Sequence, residues 1–313
     1  MRIAIFGVGG VGGYFGGRLA QAGEDVVFIA RGAHLQALQA QGLRVESVLG
    51  DFVVQPVQAT DDPTQVGVVE AVLVGVKAWQ VSEVAEAMRP LVGPTTCVVP
   101  LQNGVEAPGQ LAAVLGVSPV VGGLCGLASF VVAPGHIRHA AAEPFVKFGE
   151  LDNRPSVRLD HLRQAFVRAG VTSEIPSDIQ RELWMKFLFI TPCSGLGALT
   201  RSPVGIWRSV PETRQMSAQT MHEVLAVAQA REIALPADAL QTIQAQVDSV
   251  PPAVTVSMQR DMMAGRPSEL DAQIGAVVRL GQEVRVATPL HAFIYGSLLP
   301  MELRARGQLQ FPG

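Results

Sequence analysis

The chain reads as an α/β half followed by an all-α half, and three observations lead there. Apolar, β-branched runs alternate with helical stretches as far as residue 101. A cluster of glycines stands directly behind the first of those runs. Beyond about residue 175 the β runs give way to long helical periodicity. Buried strands separated by helices predict a parallel sheet covered on both faces.

Taken in order, RIAIF (2–6) is a strand, and the glycines after it open a helix through Arg18-Leu19-Ala20-Gln21. DVVFIA (25–30) is the second strand and HLQALQAQ (34–41) a helix. LRVESV and DFVVQPV flank Leu49-Gly50 as a hairpin. VVEAVLVGV (68–76) and TCVVPL (96–101) are further buried strands on either side of the helix VSEVAEAMRPL. SEIPSDIQ (173–180) is a linker opening a helix, with Ser177 or Asp178 as N-cap. Helical periodicity then covers 179–191, 211–232, 236–248, 252–264, 268–284 and 288–305. The domains expected are 1–176 and 177–313, as a 313-residue length also favours.

The composition, 48% hydrophobic and 16% charged, is that of a globular chain. A net charge of −3 with no basic run gives nucleic-acid binding no electrostatic support. Cys97, Cys125 and Cys193 are scattered without metal or redox spacing, as reduced thiols of a cytosolic protein are. Glycines break any signal-peptide core at the N-terminus. Residues 107–137 carry no Asp, Glu, Lys or Arg, but their prolines and glycines divide them into short buried elements rather than one spanning helix. The expectation is a soluble cytoplasmic protein without a membrane partner.

Gly7-Val8-Gly9-Gly10-Val11-Gly12 fits G-x-G-x-x-G between a strand and a helix. The first glycine permits the tight turn, the second lets backbone approach a pyrophosphate, and the third lets helix pack on strand. A Rossmann-type doubly wound sheet binding a dinucleotide is therefore expected, with Gly13, Gly16 and Gly17 serving close helix packing. The second strand ends at Arg31 with no acid at its tip, which favours the 2′-phosphate of NADP(H) over the free ribose of NAD. Lys77 follows the next buried strand and is either a contact to cofactor or acidic substrate or a snorkelling surface lysine. Asn103 follows the last strand and either bonds nicotinamide and substrate or marks an Asn-Gly turn.

Reducing a ketone with a nicotinamide requires a proton donor for the developing alkoxide. Only Lys77, Lys147 and Lys186 are lysines, and Lys186 stands in the apolar stretch RELWMKFLFI. It is either a desolvated acid that bonds a 2-oxo acid or an i,i+4 partner of Glu182. Glu269 is a candidate to orient Lys186 or a cofactor hydroxyl. None of His34, His136, His139, His161, His222 and His291 has metal-ligand spacing, and no metal is expected.

These motifs together resemble the ketopantoate reductase (2-dehydropantoate 2-reductase) family: GVGGVGGYFGGRLA at 7–20, ARG at 30–32, VKAWQV at 76–81, LQNGVE at 101–106, ELWMKF at 182–187, and Ser257-Met258 with Glu269 twelve residues on. The resemblance implies NADPH-dependent reduction of 2-dehydropantoate to pantoate in pantothenate biosynthesis. It makes Lys186 the proton donor, gives Asn103 to cofactor and substrate, Ser257 to substrate, and Glu269 and Ala128 to the cofactor. The family's substrate-binding asparagines fall on Ile190, Ser194 and Val204, so Ser194 is the substrate-side polar group kept there. That departure leaves two alternatives: reduction of a more apolar 2-oxo acid, or a non-catalytic NADP(H)-binding regulator. The partner expected is a small 2-oxo acid, and a homodimer is left open.

Overall fold

The computed structural model describes residues 1–310, apart from the Ala142 side chain. Two compact units comprise Met1–Gln102 with Ala107–Ile179, and Asn103–Glu106 with Gln180 onward. The sequence boundary at 176/177 is thus displaced to Ile179/Gln180, and a tetrapeptide from the first half belongs with the second unit.

The first unit holds a five-stranded parallel sheet of β1 (Arg2–Phe6), β2 (Asp25–Ile29), β5 (Gln58–Thr60), β6 (Ala71–Val74) and β7 (Cys97–Pro100), ordered β5-β2-β1-β6-β7. Strand order reverses at β1, the switch point beside which ligands of such sheets bind. Alternate residues of each strand enter different cores. Ile3, Ile5, Val26, Phe28 and Leu73 pack with helix α1 (Gly10–Gln21), and Ala4, Phe6, Val27, Ile29 and Val74 face Val81, Val84, Met88 and Leu111. Complete burial of one side chain the size of Phe28 contributes about 1.5–3 kcal/mol.

A second sheet covers the other side of α1. It contains the hairpin β3 (Leu43–Ser47) and β4 (Phe52–Val54), the long strands β8 (Val121–Ala133) and β9 (His136–Glu150), and β10 (Thr172–Glu174). The β3–β4 hairpin forms around Leu49-Gly50 as expected, with Leu43 opposite Val54. The expectation of only short elements over 107–137 is corrected: after helix α4 (Ala107–Leu115) the chain runs as a 13-residue strand. The apparent breakers inside it mark close approaches. A Cβ on Gly123 would lie 2.5 Å from the Pro100 carbonyl oxygen, and one on Gly126 2.0 Å from the Phe145 ring.

The glycines of α1 have a packing role, because this helix lies between two sheets. A Cβ on Gly16 would meet Phe28 at 2.6 Å on one side, and one on Gly13 would meet Ile137 at 2.7 Å on the other. The two sheets leave no room for a methyl group on either face.

The second unit is helical and is built around α6 (Ile179–Thr200). Its first amide donates to the Asn153 side chain at 3.0 Å, so the N-terminus is held by a residue distant in sequence. The helix runs through Pro192, nine residues beyond its expected end. It is long and apolar enough to cross a membrane, but 72% of its most apolar window is buried in the protein, as in a core helix. Around it lie α7 (Val204–Ser209), α8 (Pro211–Ala230), α9 (Ala239–Ser249), α10 (Ser257–Met263), α11 (Ala276–Glu283) and α12 (Pro289–Ala305). The segment expected to be helical from 252 begins only at Ser257, and a π-helical turn spans Asp271–Gly275 ahead of α11. Short π segments often stand at functional sites.

Candidate active site

In the first unit, the strand ends around the switch point form a cradle made of backbone. Gly7 has φ +97°, a conformation that disfavours other residues, and a Cβ there would lie 2.7 Å from the Val76 nitrogen. A Cβ on Gly12 would approach the Gly7 carbonyl oxygen to 2.1 Å, and one on Gly10 the Ser129 oxygen to 2.4 Å. Gly9, the N-cap of α1, differs: its nearest neighbour would be 3.9 Å away. Three glycines therefore satisfy protein packing, while the fourth leaves open the place where backbone would approach a phosphate. Val8 is buried and Val11 partly so, and both pack with the core around α1.

Ala128 sits on β8 directly before Ser129, whose carbonyl abuts Gly10. Among the described residues, the buried Ser129 Oγ and Gln102 Oε1 have no hydrogen-bond partner. Gln102 is a residue that sequence reasoning missed. Its amide nitrogen donates to the Val74 and Val76 carbonyls at 2.8 and 2.9 Å, tying together the ends of β6 and β7.

Arg31 is exposed at the tip of β2 and is the N-cap of α2 (Gly32–Gln41), a helix end that favours an anion. No acid occupies Ile29-Ala30-Arg31, so these residues fit a 2′-phosphate. His34, in the first turn of α2, accepts from the Gly135 amide through Nδ1 at 3.1 Å. Burial lowers its pKa, against a smaller upward effect of the Val8 backbone, so the ring is neutral at pH 7. Lys77 caps the turn after β6, and its Nζ stands 5.8 Å from the centre of the Trp79 ring, a cation–π distance.

In the second unit the candidates rest on side-chain bonds. Lys186 lies on α6, half-buried beside the buried Phe187 and Trp184. Eight residues on, Ser194 is fully buried and its hydroxyl donates to Gln273 Oε1 at 2.6 Å. The Gln273 amide donates in turn to Glu269 Oε2 at 3.2 Å. Ser194 and Glu269, assigned separately, are thus joined in one buried polar chain. Gln273 is its middle member, which sequence reasoning missed; the only signal was its i,i+4 spacing from Glu269.

The start of the Glu269 segment is fixed from beneath. Buried Glu302 accepts from the Ser268 amide at 3.0 Å and from the Ser268 hydroxyl at 2.6 Å, and Arg306 donates to the same carboxylate at 2.7 Å. Ile190 and Val204 are buried and apolar, and Ser257 is the half-buried first residue of α10.

Asn103 belongs to this second unit. Gly104 after it has φ +101°, and a Cβ there would lie 2.7 Å from the Ala272 carbonyl oxygen on the π turn. Among the described residues no cluster of three or more His, Cys, Asp or Glu is arranged to hold a metal. All three cysteines are buried, and burial pushes the Cys97 and Cys193 thiols up to about 12, which disfavours their thiolates.

The family model for ketopantoate reductase PanE/ApbA matches residues 3–153, and the model for the PanE/ApbA C-terminal domain matches residues 178–302. A 2-dehydropantoate 2-reductase of Mesorhizobium japonicum is 32% identical over 310 residues, covering 92% of this chain and 94% of its own. The crystal structure of 2-dehydropantoate 2-reductase from Geobacter metallireducens superposes with a TM-score of 0.88 at 32% identity, covering 96% of this chain and 99% of the other. A D-mandelate dehydrogenase crystallised with NADH and anilino(oxo)acetate shares the fold at 20% identity, with a TM-score of 0.89 over 98% of this chain and 99% of the other.

Proposed function

The chain belongs to the ketopantoate reductase family, an oxidoreductase family acting on CH–OH groups, and from that premise we propose that it reduces 2-dehydropantoate to pantoate with NADPH. The observation that carries this reading is Lys186, the sole lysine of the helical unit, half-buried on the helix that also bears Ser194. Residues 7–12 would hold the pyrophosphate and Arg31 the 2′-phosphate, with Lys77 and Ala128 as further cofactor contacts. When bound, NADPH supplies a hydride to C2 of the 2-oxo acid.

The protein's part is to hold the acid and complete the proton balance. The Lys186 ammonium bonds the keto oxygen, stabilises the charge that develops there, and gives it a proton, so that a C–H and an O–H bond replace the C=O π bond. Lys186 ends the step neutral and is reprotonated from solvent. Asn103 and Ser257 bind the substrate, Asn103 also the nicotinamide, and Glu269 a cofactor hydroxyl.

A second reading is favoured by one observation. Ser194 spends its hydroxyl hydrogen on Gln273, while Ile190 and Val204 offer no polar atom. A substrate hydroxyl would find no side-chain donor at these three positions, which suits a more apolar 2-oxo acid. The test is NADPH absorbance with purified protein and a panel of 2-oxo acids. Ketopantoate turned over at least as efficiently as any other acid supports the first reading, and preference for an apolar acid supports the second. Tight NADPH binding with no oxidation of any acid would contradict both and leave the regulator.

A further inference from the structure

Resting on that reading, we propose that Arg279 is a positioning residue for Asn103, acting through Glu106 and the π turn. Asn103 stands in a tetrapeptide with no helix or strand of its own, so side-chain anchors must fix it. Glu106, three residues on, accepts from Arg279 Nη2 at 2.8 Å. The same guanidinium donates to Asp271 Oδ1 at 2.7 Å and to the Asp271 carbonyl at 3.2 Å. Tyr295 donates its hydroxyl to that Asp271 oxygen at 3.0 Å.

Two glycines make room for the assembly. A Cβ on Gly275 would lie 2.8 Å from Asp271 Oδ1 and 3.2 Å from Arg279 Nη1. Gly104 lets the tetrapeptide lie close against Ala272, the second residue of the turn, and Val105 packs on the helical core. The turn that carries Gln273 toward Ser194 and Glu269 thus also anchors the segment bearing Asn103.

The planar fork of arginine suits this task, since it reaches acceptors from two chain segments in one fixed geometry. The Arg279 and Glu106 side chains are 40% and 23% exposed, so the pair adds little to global stability. Its consequence is geometric: displacing a substrate-positioning amide by about 1 Å costs on the order of 100-fold in rate.

The experiment is a double-substitution cycle on the full chain, using the preferred 2-oxo acid with NADPH, alongside hydrogen exchange of the 103–106 backbone. Arg279→Ala should lower kcat/KM by about 10–100-fold while leaving the melting temperature within a few degrees. Arg279→Lys should recover part of that loss. In an Asn103→Ala background the same Arg279→Ala change should cost no more than about threefold, because the residue it positions is gone. Exchange across 103–106 should quicken in Arg279→Ala. Effects that multiply in the double variant, or exchange equal to the parent's, would overturn the proposal. If the parent oxidises NADPH with no 2-oxo acid, the proposed function fails, and the exchange comparison alone decides the role of Arg279.

Discussion

Residues 7–12 and residues 186–273 are built from different materials. The glycine segment uses backbone: missing side chains, a positive φ at Gly7 and amides at a helix end. The helical segment uses side chains drawn from α6, the π turn and the 103–106 tetrapeptide, joined by Ser194–Gln273–Glu269 and Glu106–Arg279. A binding surface of backbone is fixed by where a Cβ is forbidden, whereas one of side chains depends on partners far apart in sequence. Substitutions should therefore act differently in the two regions.

A contrast in the kind of effect separates two glycines of the loop. Gly12→Ala places a methyl 2.1 Å from the Gly7 oxygen and should lower the melting temperature by about 5–10 °C. Gly9→Ala meets nothing closer than 3.9 Å and should melt with the parent, yet weaken NADPH by at least about tenfold because its methyl occupies the phosphate path. Melting curves and NADPH titrations of both variants check this. Equal affinity of Gly9→Ala and the parent would mean that the loop is glycine-rich for packing alone.

Arg31→Ala comes next. Losing a charge-assisted fork to a 2′-phosphate should raise the NADPH Kd about 10–100-fold and leave the NADH Kd almost unchanged. A parallel loss for both nucleotides would refute the phosphate contact.

The same contrast explains what the sequence could disclose. The switch-point loop was legible because Gly7, Gly10 and Gly12 leave no space for a Cβ, and a strand, a helix and a second strand flank it in register. The position of Arg31 at the tip of β2 was legible because the apolar run of that strand ends just before it. The β8–β9 hairpin was missed because Gly122, Gly123 and Gly126 read as breakers, although all three sit in a strand and Gly123 and Gly126 are approached closely by their neighbours. Gln273 was illegible for another reason: its partner Ser194 lies 79 residues away, and its i,i+4 spacing from Glu269 is one that surface glutamines share. The attachment of Asn103–Glu106 to the helical unit was hidden likewise, because Glu106 and Arg279 are 173 residues apart.

Gln273→Leu should show how much the side-chain region depends on that network. It deprives the buried Ser194 hydroxyl of its acceptor and the Glu269 carboxylate of one donor, at about 1–3 kcal/mol in a denaturant titration. A loss below the error of that titration would mean the chain is dispensable.

The smallest effect concerns pH. Burial alone would raise the Glu24 and Glu150 carboxyls of the first unit. The bonds and charges of the N-terminal amine with Arg168, and of Arg158, outweigh it and hold both below the ordinary 4.5. Glu223 in the second unit is lowered likewise against burial, by His291 and the amides of Leu290 and His291. A folded-state pKa below the unfolded one stabilises above the unfolded value, and that contribution is lost as pH falls through the folded value. The melting temperature should therefore hold from pH 7 to about 5 and decline below about 4.5. A flat profile down to pH 3 would contradict these assignments.

The central claim is that the helical unit supplies the proton from Lys186 while the glycine segment holds the nucleotide. Measuring turnover and NADPH affinity together in Lys186→Ala tests it most directly. The account predicts kcat lower by about 100–10,000-fold with an NADPH Kd within about twofold of the parent. Turnover at the parent's rate, or a loss of nucleotide affinity that accounts for the whole decline, would contradict it.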